Sequence, residues 1–145
     1  MSVLPVPRAA AARRAIVALA LALTVIALGL GLRFYGRGFG LPIFVVKYGG
    51  SALWATMVYF LLAATAPRLS RSRLVGIALT VAILVELIRL VHTPWLDSFR
   101  LTLAGALLLG RIFSVWNIVA YAVGIALGAA VDLKVCADAS RNDGN

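Results

Sequence analysis

Read for apolar and polar positions, the chain alternates long hydrophobic runs with short basic breaks. Arg8, Arg13 and Arg14 precede an uncharged run from Ala15 to Leu32, which ends directly in Arg33. A second apolar stretch follows Pro42 and stops at Pro67, a third runs from Leu74 to Val91, and a fourth from Val115 to Leu133. Crossing a hydrocarbon core about 30 Å thick takes roughly 20 mostly apolar residues as a helix. The pattern therefore predicts an all-α, polytopic membrane helix bundle of about four transmembrane helices, at 15–32, 43–66, 74–92 and 115–133. The first run reads as a retained span, being longer than a signal peptide's apolar region and lacking a small-x-small cleavage site.

Local punctuation refines these limits. Gly36, Gly38, Gly40 and Pro42 break the connection between the first two runs into a cationic, aromatic-rich surface loop, and Pro42 suits the opening of the second helix. Thr93-Pro94 reads as a cap followed by proline at the first helical position. The uncharged stretch after it, Leu101 to Gly110, gives only about 15 Å of helix. Residues 94–110 are accordingly expected as one short re-entrant or interfacial half-helix, with a five-span arrangement as the alternative. Residues 1–14 read as a basic N-terminal segment and 134–145 as a disordered tail. Ala120, Gly124 and Gly128 form a small-residue stripe for close helix packing, with a homo-oligomer through Gly124 and Gly128 as a second use.

Composition fits a membrane domain that takes up nearly all of the 145 residues: 63% are hydrophobic, 13% are charged, and mean hydropathy is +1.01. The formal net charge of +9 comes from arginines and lysines that flank apolar runs, an arrangement suited to membrane surfaces and not to nucleic acid. Counting them loop by loop puts Arg8, Arg13, Arg14, Arg68, Arg71, Arg73, Lys134 and Arg141 on one side and Arg33, Arg37, Lys47, Arg89, Arg100 and Arg111 on the other. That balance favours a cytoplasmic N-terminus. A lone Cys136 reads as an inert thiol, no metal-ligand spacing occurs, and no Walker loop, His-Glu-x-x-His or Gly-x-Ser-x-Gly motif is present, so no cofactor or metal is expected.

Because successive spans alternate direction, the end of the first, the start of the second, the end of the third and the start of the fourth share one membrane face. Arg33, Lys47, Glu86, Arg89, Asp97, Arg100 and Asn117 gather there and form the expected ligand-binding set. Glu86 falls about 8 Å inside the apolar limit of its run, where an unpaired carboxylate is costly. Arg89, three residues on, is its nearest candidate partner, which leaves a structural ion pair and a ligand or proton site as the two readings. Glu86 and His92 are the candidates for a general base, and Asp97 and Arg100 are expected to pair along their helix. The excess of cations suits an anionic headgroup of a membrane lipid.

The elements Arg33-x-Tyr35, Lys47-Tyr48-x-Gly50, Leu53-Trp54-Ala55, Val85-Glu86-Leu87, Trp95-Leu96-Asp97-x-x-Arg100, Leu109-Gly110-x-x-Phe113 and Trp116 with Tyr121-x-x-Gly124 resemble the domain-of-unknown-function 2809 family of small bacterial membrane proteins. A more distant likeness is to the VanZ-like family, which also places an acid in one helix, then an arginine, then a polar residue opening a Gly-rich last helix. The closer resemblance implies a small bacterial membrane protein and brings no established activity with it; the chain is expected in the bacterial cytoplasmic (inner) membrane, as part of the cell envelope. Its pattern carries Asp at Ser51, Gln at Arg89 and Asp at Asn117, so this chain departs at three positions. The expected function is non-enzymatic binding of an anionic lipid or envelope-precursor headgroup. The alternatives are an enzyme acting on a lipid-linked phosphate and a small transporter or proton pathway.

Overall fold

In the computed structural model, which describes residues 8–110 and 113–142, every regular element is a helix: α1 (Arg8–Tyr35), α2 (Ile43–Thr65), α3 (Arg71–Ile88), α4 (Pro94–Leu101), α5 (Leu103–Leu108) and α6 (Val115–Asn142). Residues 1–7, Arg111, residues 143–145 and the side chains of Cys136 and Arg141 lie outside the described residues. Helix α2 is central, packed along α1 on one side and α6 on the other, while α3 packs against α6 and α2. Three helices, α1, α2 and α6, are long and apolar enough to cross a membrane. The 18 residues of α3 carry Arg71, Arg73 and Glu86, the highest share of charged residues in any of the long helices.

Several boundaries differ from the sequence expectation. Helix α1 starts at Arg8 because Ala9–Ala12 are strong helix formers with no breaker before the apolar run, so the basic segment from Arg8 onward continues the first span. Helix α3 ends at Ile88 and not at 92, its final turn tightening through bonds from Arg89 N to Glu86 O, Leu90 N to Leu87 O and Val91 N to Ile88 O at 3.0–3.2 Å. The expected single half-helix is two helices. Thr102 is extended at ψ 158° and its hydroxyl accepts the Gly105 N–H, opening α5 afresh. Such local side-chain bonds compete with helix continuation. A Cβ at Gly105 would overlap the Phe99 carbonyl, so the fold-back of α5 onto α4 requires glycine there. Helix α6 runs on to Asn142 in place of the disordered tail expected from 134, and no glycine or proline stands between Gly128 and Gly144.

The interior is made largely of alanine. Ala18, Ala22, Ala55, Ala63, Ala78 and Ala82 are buried with Tyr59, Phe60, Leu74, Tyr121 and Ile125, whereas Leu19, Leu23, Leu84, Leu87, Val119 and Leu127 are exposed. Small residues inside and large apolar ones outside invert the arrangement of a water-soluble core and match helices packed by close approach in lipid. The protein is thus an all-helical membrane protein by its surface as well as by its hydropathy. Gly124 and Gly128 serve this packing within the chain. A Cβ at Gly124 would overlap the Ala52 backbone and one at Gly128 would sit 3.1 Å from the Tyr59 ring, so the stripe packs closely against α2.

Candidate functional site

Along α3, Leu74, Ala78, Ala82 and Glu86 recur every fourth residue and are fully buried. Glu86 is the last member of that stripe, aimed at the start of α6. Its Oε1 accepts the Ser114 backbone N–H at 2.7 Å and Asn117 Nδ2 at 3.2 Å. Its Oε2 accepts Arg89 Nη1 at 2.6 Å and the Tyr121 hydroxyl at 2.8 Å. Four donors satisfy both oxygens, one of them charged, which is what a buried carboxylate requires. The network continues outward: Asn117 Oδ1 accepts Ser51 Oγ at 3.2 Å, tying α6 to α2, and Arg89 Nε donates to the Leu109 carbonyl, tying α3 to the end of α5. Gly110 follows with φ +68°, and a Cβ there would meet the Arg89 guanidinium at 2.7 Å.

A second polar group lies on α4. Arg100, 3% exposed, donates to Val91 O at 3.0 Å, Ile88 O at 2.6 Å and Asp97 Oδ1 at 2.8 Å. These carbonyls belong to the unwinding end of α3, where the helix leaves acceptors without intrahelical partners, so Arg100 works as a C-terminal cap. His92 Nδ1 lies 3.3 Å from Asp97 Oδ1, both side chains well exposed.

Between α1, α2, α5 and the Glu86 network opens a cavity of about 810 Å³. Arg33, Lys47, Arg89, Ser51, Asn117 and Tyr121 contribute its polar lining, and Val25, Ile26, Leu30, Leu53, Met57 and Leu107 are among its apolar walls. Of the seven expected binding residues, the cavity collects Arg33, Lys47, Arg89 and Asn117. Glu86 stands behind that wall, holding Arg89 and Asn117 in place, while Asp97, Arg100 and His92 form the separate cluster on α4.

The sequence reading passed over a third cluster, at the other end of the bundle. Asp132, 5% exposed, accepts Arg14 Nη2 at 2.6 Å and the Tyr59 hydroxyl at 2.9 Å on Oδ2, with Arg71 Nε at 3.4 Å. Arg14 also donates to the Pro67 and Leu69 carbonyls at 2.9 and 3.0 Å. Arginines expected as mere topological punctuation thus join α1, α2, α3 and α6. The available signal was the isolated Asp132 near the end of an apolar run.

The model of the family described as proteins of unknown function, DUF2809, matches residues 41–125. The chain belongs to that family. No solved structure matches it. The DUF2809 region takes in α2 to α5 and the first part of α6, hence the Glu86 network, Lys47 and the α4 cluster, and leaves α1 and Asp132 outside. Ser51, Arg89 and Asn117, the positions at which a departure from the family pattern is expected, belong to one network in this DUF2809 member, Arg89 and Asn117 bonding Glu86 and Ser51 bonding Asn117.

Proposed function

We propose that this protein is a four-span membrane protein that binds an anionic amphiphile, such as a membrane lipid or envelope precursor, in the cavity between α1, α2 and α5. Helix α3 supplies the fourth span. At roughly 27 Å it is long enough, its Glu86 is fully paired, and Arg71 and Arg73 lie at its end. Helices α4 and α5 form a short re-entrant segment on the far side, and the flanking-charge balance sets the N-terminus in the cytoplasm of a bacterial inner membrane.

One observation carries the binding assignment: Arg33 on α1 and Lys47 on α2 both line the cavity and have no carboxylate partner among the described residues, while the walls beneath them are apolar. Such a cavity accepts a charged head at its mouth and an apolar body below. Glu86 and His92 do not line it, so the candidate bases give the enzymatic alternative no support. The test is native mass spectrometry of protein purified from membranes. Arg33→Gln/Lys47→Gln should lose most of its copurifying anionic lipid while keeping wild-type thermal stability. Retention equal to wild type would refute the assignment.

A further inference from the structure

We infer that the headgroup recognised in this cavity is a terminal phosphate dianion, a phosphomonoester, carried on a single apolar chain. The inference rests on the reading of the cavity as an anionic amphiphile site and sharpens it by charge and shape.

Charge comes first. Each described carboxylate is already matched: Glu86 by Arg89 at 2.6 Å, Asp97 by Arg100 at 2.8 Å and His92 at 3.3 Å, and Asp132 by Arg14 at 2.6 Å and Arg71 at 3.4 Å. Arg89 therefore brings hydrogen-bond donors to the cavity with little net charge. Arg33 and Lys47 bring one uncompensated positive charge each, from two different helices. Lys47 Nζ lies 5.1 Å from the centre of the Tyr48 ring, a contact that leaves its charge intact. A phosphodiester, with one negative charge, neutralises only one of the two cations. A phosphomonoester carries about −1.5 to −2 at pH 7, with its second ionisation near pH 6, and matches both.

Shape comes second. Along α1 the lining descends from Arg33 through Leu30 to Ile26 and Val25, and along α2 from Lys47 through Leu53 to Met57. Those separations of eight and ten positions correspond to about 12 and 15 Å of helix. On α1 Arg33 thus stands at the outer end of the lining, and on α2 Lys47 follows Ile43 and Val46, with Ser51 a turn further on and Leu53, Trp54 and Met57 on the deeper turns. Gly29 and Gly50 are part of the lining, and a Cβ added at Gly50 would meet nothing within 4 Å. A volume of about 810 Å³ falls in the range of sites that enclose one drug-sized molecule, roughly 300–1,000 Å³, enough for a headgroup and one chain.

The test titrates the full-length protein in neutral detergent with four probes and reads binding by native mass spectrometry and thermal shift. The probes are lysophosphatidic acid, lysophosphatidylglycerol, two-chain phosphatidic acid and inorganic phosphate. Lysophosphatidic acid should bind at least tenfold more tightly than each of the other three, and its advantage over lysophosphatidylglycerol should shrink as pH falls below about 6. Arg33→Gln and Lys47→Gln should each remove that advantage. Gly50→Val, which narrows the slot without touching a charge, should weaken both single-chain lipids alike. Equal affinity for the two lysolipids, still dependent on Arg33 and Lys47, would overturn the dianion while leaving the anionic-amphiphile reading in place. Equal binding of phosphatidic acid would overturn the single chain, and equal binding of inorganic phosphate would overturn any role for the chain. Absence of binding by every probe would remove the underlying reading together with the inference.

Discussion

Replacing Glu86 by Gln changes one atom and tests whether this buried acid is a structural tie. The carboxylate receives two donors on each oxygen: Ser114 N–H and Asn117 Nδ2 on one, Arg89 Nη1 and Tyr121 OH on the other. A glutamine keeps one acceptor oxygen. If that oxygen faces Ser114 and Asn117, the amide nitrogen faces Arg89 and Tyr121; the phenol can rotate and accept, but the guanidinium cannot. Arg89, whose side chain is 10% exposed, keeps its charge and loses the carboxylate that balanced it. Removing one partner of a buried ion pair costs about 3–5 kcal/mol. We expect Glu86→Gln to lose that much in reversible SDS titrations of detergent-solubilised protein. Glu86→Gln/Arg89→Gln, which removes the stranded charge with its partner, should recover more than half, because a neutral buried pair is often tolerated where a broken ionic one is not. Hydrogen exchange should also rise across α5 in both variants, since Arg89 Nε holds the Leu109 carbonyl. A single-variant loss below about 1 kcal/mol, the scale of a weakly coupled pair, would refute the structural tie, as would a double variant no better than the single.

The remaining predictions concern the two ends of the bundle. Gly124→Ala should destabilise by about 1–3 kcal/mol through overlap with the Ala52 backbone, whereas Gly76→Ala, with nothing within 4 Å of its added Cβ, should be neutral or stabilising by up to ~1 kcal/mol; the same SDS titration measures both. Arg14→Ala should cost more than Arg71→Ala, because Arg14 holds Asp132 at 2.6 Å and two carbonyls besides, while Arg71 stands 3.4 Å away with its side chain 37% exposed. Equal losses for the two arginines would sink that ranking.

Apolar run length made α1, α2 and α6 legible, and prolines 42, 67 and 94 placed three helix limits to within a residue or two. Alternation of direction likewise put Glu86 and Asn117 on one face of the bundle, without singling them out as partners. What the sequence could not resolve was the ownership of each cation. Arg100 had the same claim on a ligand as Arg33 until its three acceptors were seen, two of them backbone carbonyls with no side-chain signature. Arg14 and Arg71 looked like loop charges because their partner, Asp132, lies 118 and 61 positions away. The break at Thr102 was hidden for a different reason: a threonine hydroxyl competes with the backbone only once the chain has begun to fold back, and hydropathy does not register that geometry.

The two carboxylate clusters are built alike. Glu86 Oε2 takes Arg89 and Tyr121, and Asp132 Oδ2 takes Arg14 and Tyr59. They differ in what they do for α1. At the Asp132 end Arg14 pins α1 to α6 and to the turn after α2. At the Glu86 end α1 is held, among the described residues, by apolar packing, with a Cβ at Gly29 reaching 3.8 Å from Leu53 and one at Gly49 reaching 3.1 Å from Leu32, and its own charge, Arg33, shares the cavity lining with the like charge of Lys47. The cavity therefore opens where α1 has no polar tie among the described residues. An anion seated between Arg33 and Lys47 would give α1 at this end the counter-charge that Asp132 gives it at the other, so binding should rigidify the second half of α1 more than any other helix. Hydrogen exchange with and without lysophosphatidic acid measures this directly, and protection spread evenly over all helices would contradict it.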